Sequence, residues 1–590
     1  MTLANVVFLV ILVLAAGFFS YNAQRLVRYL GVGHDEDRTD HPLVRAKNVL
    51  TIGIAQTKIL RDPVAGAMHA TVFWGFLVIT LGTVEILIQG VIPTFSYGRL
   101  LPDPLYAAYL LSQEAFALFV LGAVSLLLFR RLVVKPKRLQ GDNVHSGDAI
   151  FILSMIAALM LTLLLAFGLE MVAGAHQATG ARPITSGVAA AFRWMDADRA
   201  YTAFRMTWWA HALLVLVFLN YLPYSKHLHV AASLFNVFFS NTSGPGPKGV
   251  MRAMDLEAEG VEQFGAADVK DLTWKNLLDG YTCTECGRCT AACPANITGK
   301  VLSPRKIIVN TRQRVMEVGP LLVGDPSGFL KPALVAKEGT DAGTTTVQAA
   351  LDNRLLDNYV TEEELWACTS CRACVQECPV AIDHLDVING LRRNLVLMES
   401  RFPEEVQPAF TSLERNGSPW AFSPADRANW AEGMDIPTMA ELQERRERPD
   451  VLYWVGCMGS FDDRAKKTTK AVAELLHTAG VEFAVLGSGE TCSGDPARRM
   501  GNEFLFQMLA QENVATLDGV FEGRVPGMRK IVATCPHCFN SLGREYPQVG
   551  GDYEVVHHTQ LLNQLVADGR LTPVTPVDRK VTYHDPCFLG

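Results

Sequence analysis

Eight cysteines in two short runs carry the most definite chemistry in this sequence. YTCTECGRCTAACPA (281–295) and ACTSCRACVQECPV (367–380) both contain C-x2-C-x2-C-x3-C-P. In that pattern three thiolates hold one [4Fe–4S] cubane, and the fourth reaches to the other cluster of a pair. Cys283, Cys286, Cys289 and Cys378 are therefore expected around one cluster, and Cys368, Cys371, Cys374 and Cys293 around the second. The proline after the fourth cysteine ends the local turn and keeps that thiolate aimed inward. Zinc sites use pairs of C-x2-C rather than a triplet with a trailing cysteine, so zinc is the weaker reading here.

The remaining cysteines of the thirteen follow strand-like runs nearer the C-terminus. VLYWVGC, VEFAVLG, KIVATC, YEVVHH and KVTYHDPC read as short buried strands, with helix-like runs such as RAKKTTKAVAELLHTAG between them. This alternation predicts an α/β region, and Cys457, Cys492, Cys535, Cys538 and Cys587 lie at or just after its strands, where such domains place sites. An iron–sulfur cluster and a zinc ion on Cys457, Cys492, Cys535 and Cys538 both remain open. No G-x-G-x-x-G opens a helix, so no dinucleotide is expected.

The elements that must position these groups begin in a membrane. Of 590 residues 49% are apolar, the mean hydropathy is positive, and apolar stretches near 3–24, 66–92, 107–129, 149–173 and 206–224 each reach spanning length. The first has its basic residues, Arg25 and Arg28, after the apolar run, as an anchor does and a cleaved signal does not. Basic residues crowd the loops after spans one and three, while the loop after span two holds only Arg99. The positive-inside rule then puts the N-terminus outside and everything after span five in the cytoplasm. No cysteine occurs in the first 282 residues, so all thirteen would lie in that reducing compartment, as metal ligation requires. The net charge of −7, with no basic stripe, argues against nucleic acid as a partner.

Histidine at membrane depth is costly and points to function. His69 sits just inside span two, and His211 and His229 bracket span five, with His227 beside the latter. On a straight helix the eighteen-residue step from His211 to His229 places both on one face, about 27 Å apart; Pro223 loosens that phase. His69 and His229 fall at equal depth on facing helices, the usual arrangement for holding a haem b. His211 has no equivalent on span two; a second haem and a quinone pocket are its alternatives. Glu85, Glu114 and Glu170 lie in or near apolar runs and are candidates for carrying protons to a quinone, or plain interfacial carboxylates.

Taken together, these residues carry a family resemblance. GCMG, ETCSGDPARR and TCPHC in residues 450–590 resemble the cysteine-rich CCG domain of heterodisulfide reductase-type subunits, and HDPCFLG resembles the start of a second unit. Ser493 stands where that family has the second cysteine of a pair, which tells against a five-thiolate cluster, and the second unit is missing, so this domain reads as C-terminally truncated. Residues 1–240 are similar to the five-span cytochrome b subunit of respiratory nitrate reductases, in which spans two and five supply two histidines each. Here span five matches with His211 and His229 and span two only with His69, which implies one haem b and leaves a second open. The whole chain resembles membrane-bound iron–sulfur oxidoreductases that link electron transfer flavoprotein to menaquinone.

The expected architecture is multidomain. An all-α five-helix transmembrane bundle (1–240) is followed by a linker (241–275) and a helical two-cluster ferredoxin-like domain with an insertion (276–400). A second linker (401–449) leads to an incomplete α/β CCG domain (450–590). The resemblance implies electron flow from a cytoplasmic donor through the clusters and haem b to menaquinone. Its rivals are a quinol-dependent disulfide reductase and an electron-wire subunit for a separate dehydrogenase.

Overall fold

A computed structural model of the protein describes residues 2–141, 144–174, 181–242, 250–324, 347–584 and 586–589. Among the described residues five helices are long and apolar enough to cross a membrane: α1 (Leu3–Leu30), α2 (Pro63–Val91), α3 (Asp103–Phe129), α4 (Ser146–Val172) and α5 (Ala197–Tyr221). Leu14, Leu81, Phe119 and Val217 point outward from the bundle, as side chains facing lipid do. Helix α2 packs on α3, α3 on α4 and α4 on α5, with α1 against α2 and α5. Close approach depends on small residues, since a Cβ on Gly75 would strike Val120.

Helix α5 does not run straight on to His229. Two 3-10 turns, Leu222–Tyr224 and Lys226–Leu228, intervene before α6 (His229–Phe238). Pro223 has no N–H to continue the ladder and its ring blocks the turn before it, so the straight-helix phase between His211 and His229 does not hold.

The helical domain is built on α7 (Trp274–Thr282), α8 (Pro304–Leu322) and α9 (His384–Leu397), whose Leu277, Ile307, Ile308 and Leu391 are fully buried. The end of α1 reaches the same core through Leu26 and Tyr29, so membrane helix and cysteine domain pack as one unit. Residues 325–346 of the expected insertion lie outside the described residues.

The C-terminal region is a four-stranded parallel sheet of order β2-β1-β3-β4, formed by β1 (Val451–Trp454), β2 (Phe483–Ala484), β3 (Lys530–Ala533) and β4 (Glu554–His557). Helix α10 (Asp463–Thr478) connects β1 to β2, and α11 (Glu503–Val520) lies between β2 and β3. The run KVTYHDPC forms no strand over its described residues; 580–584 are exposed and no neighbouring strand offers them a ladder. Residues 401–449, expected as a linker, are folded onto this domain, with Phe410, Leu413, Arg427 and Trp430 buried. The stretch from Met251 is likewise held down: its N–H donates to Glu545 Oε1 at 3.0 Å, and Gln507 bonds the Met254 carbonyl at 2.7 Å.

Candidate functional site

The two cysteine motifs share one backbone design. In the first, Glu285 and Gly287 take positive φ (57° and 72°); at the same offsets in the second, Ser370 and Arg372 do so (56° and 60°). These left-handed residues turn the loop so that successive thiols face inward. Glycine is needed at 287 for a further reason: a Cβ there would lie 2.2 Å from the Arg138 carbonyl oxygen of the bundle. The short helices Arg288–Ala291 and Ala373–Glu377 then pack together and interleave the two runs.

Burial dominates the surroundings of these thiols. Burial, reinforced by the neighbouring thiols of Cys286, Cys283, Cys378 and Cys374, pushes Cys289 well above its ordinary value. Burial and then Cys368, Cys371 and Cys293 act in the same way on Cys374. Cys283 is raised to about 11 and Cys378 to about 12, in both cases chiefly by burial. Backbone N–H groups already aim at sulfur, Ser370 at Cys368 and Ile382 at Cys378, each at 3.4 Å. Cys293, Cys368, Cys371 and Cys374 line one cavity, closed by Leu385 and Ile388. Four cysteines around one small cavity, Cys293 and Cys374 buried and Cys368 and Cys371 half-buried, suit an iron–sulfur cubane, whose irons would stabilise the thiolates that burial disfavours.

This domain is bolted to one end of the bundle. Arg288, between two cluster cysteines, donates to the carbonyls of Lys58 and Ile59 at 2.8 and 2.9 Å, while Lys58 Nζ reaches the Cys378 carbonyl at 3.3 Å. The buried Glu285 carboxylate accepts from Arg312 at 2.5 Å and from His145 at 2.9 Å, and lies 3.6 Å from Lys226 Nζ. Burial alone raises such a carboxyl, but the His145 hydrogen bond and the Arg312 and Lys226 charges hold it far below the usual range. At the same end His69 and His229 face each other, ring centroids 6.4 Å apart. His229 Nδ1 donates to the Lys226 carbonyl at 3.0 Å, which orients the ring and leaves Nε2 available. His69 Nδ1 is buried without a partner. His211 stands apart: its Nδ1 bonds Thr162 at 2.9 Å, its Nε2 is buried and unpartnered, and no second imidazole ring meets it among the described residues.

In the α/β domain Cys457, Cys492, Cys535 and Cys538 follow β1, β2 and β3 at the carboxyl edge of the sheet. Cys457 hydrogen-bonds Cys492 and Cys535 hydrogen-bonds Cys538, which hold Cys457 and Cys535 below the ordinary thiol value, Cys535 at about 6. Ser493 Oγ donates to Cys538 Sγ at 3.6 Å, so the serine lies among the thiols where a fifth cysteine would be. Arg427 donates to Cys457 Sγ at 3.4 Å and pairs with Glu490 at 3.1 Å. Four converging thiols fit either a four-cysteine cluster or zinc. Cys587 is exposed, although its neighbour Phe588 stacks on His537 at 4.0 Å and brings the segment against the site.

Arg392 links the two cysteine regions, bonding the Cys368 carbonyl at 2.5 Å and the Arg499 carbonyl at 2.8 Å. Arg392 thus ties the thiols at the sheet edge to the two cysteine motifs, the first of which docks on the histidine end of the bundle.

Comparisons with known proteins agree with this plan. Residues 282–382 match a family model described as a 4Fe-4S dicluster domain, and residues 451–543 the CCG cysteine-rich domain. The probable iron-sulfur-binding oxidoreductase FadF of Bacillus subtilis (strain 168) is 37% identical over 99% of this chain and 82% of its own length. The chain belongs to this family of membrane-anchored iron–sulfur oxidoreductases. The oxidoreductase is also 36% identical, over 94% of its chain, to the EtfAB:quinone oxidoreductase of Syntrophomonas wolfei, of which it covers 76%. A polypeptide of the dihydromethanophenazine:CoB--CoM heterodisulfide reductase of Methanosarcina barkeri is 27% identical over 55% of this chain and 72% of its own length. No solved structure matches.

Sequence reasoning missed Arg427, Glu490, Lys226 and the docking role of Arg288. An arginine and a glutamate inside the cluster motif, Arg288 and Glu285, were the available signal, since charged residues beside buried thiols need partners. Nothing in the sequence marks Arg427, which reaches Cys457 across thirty residues.

Proposed function

We propose that the oxidoreductase passes electrons from a cytoplasmic donor to a membrane quinone. The observation that carries this is the docking of the first thiol set on the His69–His229 end of the bundle, with the second set packed beside the first. Cys283, Cys286, Cys289 and Cys378 hold one [4Fe–4S] cluster, and Cys368, Cys371, Cys374 and Cys293 the other. His69 and His229, the two imidazoles that face each other at this end of the bundle, would hold a haem b, which would supply a one-electron step there. The 6.4 Å between these rings supports that reading. These cofactors supply one-electron relay when bound, while the protein positions them and sets their surroundings. Electrons arrive at the Cys457, Cys492, Cys535 and Cys538 site, and the cysteine domains lie in the cytoplasm with the N-terminus outside. The relative named for EtfAB and quinone supports electron transfer flavoprotein as donor and menaquinone as acceptor.

The test uses the full chain in detergent, without air. Reduced electron transfer flavoprotein should reduce the haem, read at its α-band, and a menaquinone analogue should then reoxidise it. A haem that stays oxidised with this donor but is reduced by menaquinol would sink the proposed direction.

A further inference from the structure

The end of the bundle away from the cysteine domains contains a cavity of about 360 Å3 bounded by all five spanning helices. Glu85, on its wall, lies sixteen residues beyond His69 on α2, about 24 Å along the axis. The cavity therefore sits apart from the histidine pair. One wall is aromatic: Phe8, Trp208 and Trp209 pack with ring centroids 5.3 to 5.7 Å apart.

The other wall is polar and buried, which is costly at membrane depth. Glu85 accepts from the Tyr97 N–H and the Tyr109 hydroxyl, each at 2.8 Å, and Gln113 donates to the Val78 carbonyl at 2.8 Å. Glu114 accepts from the Ile184 N–H at 2.9 Å. Arg182 is 8% exposed, lies over the Phe167 ring at 4.9 Å, and has Nη1 buried with no partner. Arg182 lines the cavity, and a buried guanidinium with an unmet N–H is completed by an acceptor oxygen from a ligand at that wall. Three arginines (Arg99, Arg182, Arg205) and three glutamates (Glu85, Glu114, Glu170) line the cavity, so it carries no excess of positive charge to hold an anion, and a neutral acceptor fits. The aromatic wall suits a flat ring, and access through the bilayer requires an apolar molecule.

We infer that this cavity binds the head group of the quinone, with Arg182 donating to one carbonyl oxygen and Phe8, Trp208 and Trp209 against the ring. The inference rests on the quinone reading proposed above and places its reaction at the end of the bundle remote from the clusters. Reduction there adds two electrons from the cofactor-bearing end and two protons to the two carbonyl oxygens, giving the hydroquinone. The protons come from the loop side, where Glu85 and Glu114 line the wall. His211, one turn along α5 from Trp208, stands between the cavity and the histidine pair.

The test is photolabelling of the full chain in lipid nanodiscs with an azido-naphthoquinone, with menaquinone as competitor, mapped by peptide mass spectrometry. Competed label on residues 103–129 or 197–221 is expected. Competed label confined to the residues around His69 and His227 overturns this location and leaves the quinone reading standing. No competed label anywhere, in protein whose cluster spectra are intact, sinks both. Arg182→Gln should weaken menaquinone competition about tenfold at unchanged cluster and haem spectra; unchanged competition removes Arg182 from the site.

Discussion

Glu285 is the residue whose loss should be felt at both the first thiol set and the histidine pair. It is 1% exposed and neutralises Arg312 and Lys226 while accepting from the His145 ring. Those partners matter in turn: Arg312 also bonds the Cys283 carbonyl at 2.8 Å, and the Lys226 carbonyl holds His229 Nδ1 at 3.0 Å. Glu285→Gln keeps the shape but strands two buried cations. Breaking a buried pair costs about 3–5 kcal/mol. Glutamine retains part of the hydrogen bonding, so about 3 kcal/mol is the working figure. A multidomain chain has no single unfolding free energy, so the effect is best read locally. Hydrogen exchange of peptides covering 226–229 and 283–289 should speed up about 100-fold, at about 1.4 kcal/mol per decade. Removing Lys226 as well, by Lys226→Met, should restore about tenfold of that protection, because one stranded charge is gone. Exchange changed less than about threefold by Glu285→Gln would show that the carboxylate does not hold this junction.

His69→Ala and His229→Ala should each abolish the haem α-band, whereas His211→Ala should leave it; an α-band surviving either of the first two changes refutes the axial pair. Cys371→Ser and Cys286→Ser should each remove a different one of two cubane signals in EPR, and loss of the same signal from both would overturn the crossed grouping. Asp62 caps α2, pairs with Arg138 at 2.6 Å within the bundle and lies 3.9 Å from Arg288 of the cysteine domain; burial raises it, but Arg138, the Ala65 N–H and Arg288 together leave it below its ordinary 3.8. Its contribution to docking is therefore fully present above that ordinary value and lost as pH falls through the lower native one. Limited proteolysis between the bundle and the cysteine domain should be flat from neutral pH down to about pH 5. It should rise in stronger acid, and Asp62→Asn at neutral pH should reproduce the rise.

Some of this architecture was legible in the chain because the relevant information is local. The offsets within each C-x2-C-x2-C-x3-C-P run set which thiols share a loop, and the same left-handed residues recur at 285/287 and 370/372 for that reason. Spanning length and the βα alternation are likewise properties of consecutive residues. The run 580–584 shows the limit: its alternation reads as a strand, yet a strand exists only where a neighbour supplies the ladder, and none does among the described residues. The stretch 401–449 shows the converse, since its polar composition reads as a linker while Arg427 and Trp430 are buried against the sheet.

What only tertiary structure decided is which distant groups meet. His69 and His229 lie 160 residues apart in sequence and 6.4 Å apart in space, and Pro223 re-aims the second by ending α5 early. Glu285 gathers the side chains of residues 145, 226 and 312, and the walls of the far cavity come from all five spanning helices and the loops between them. Spacing along the chain constrains residues a few bonds apart. Contacts across a hundred residues depend on how whole elements pack, and that packing is a property of the folded molecule.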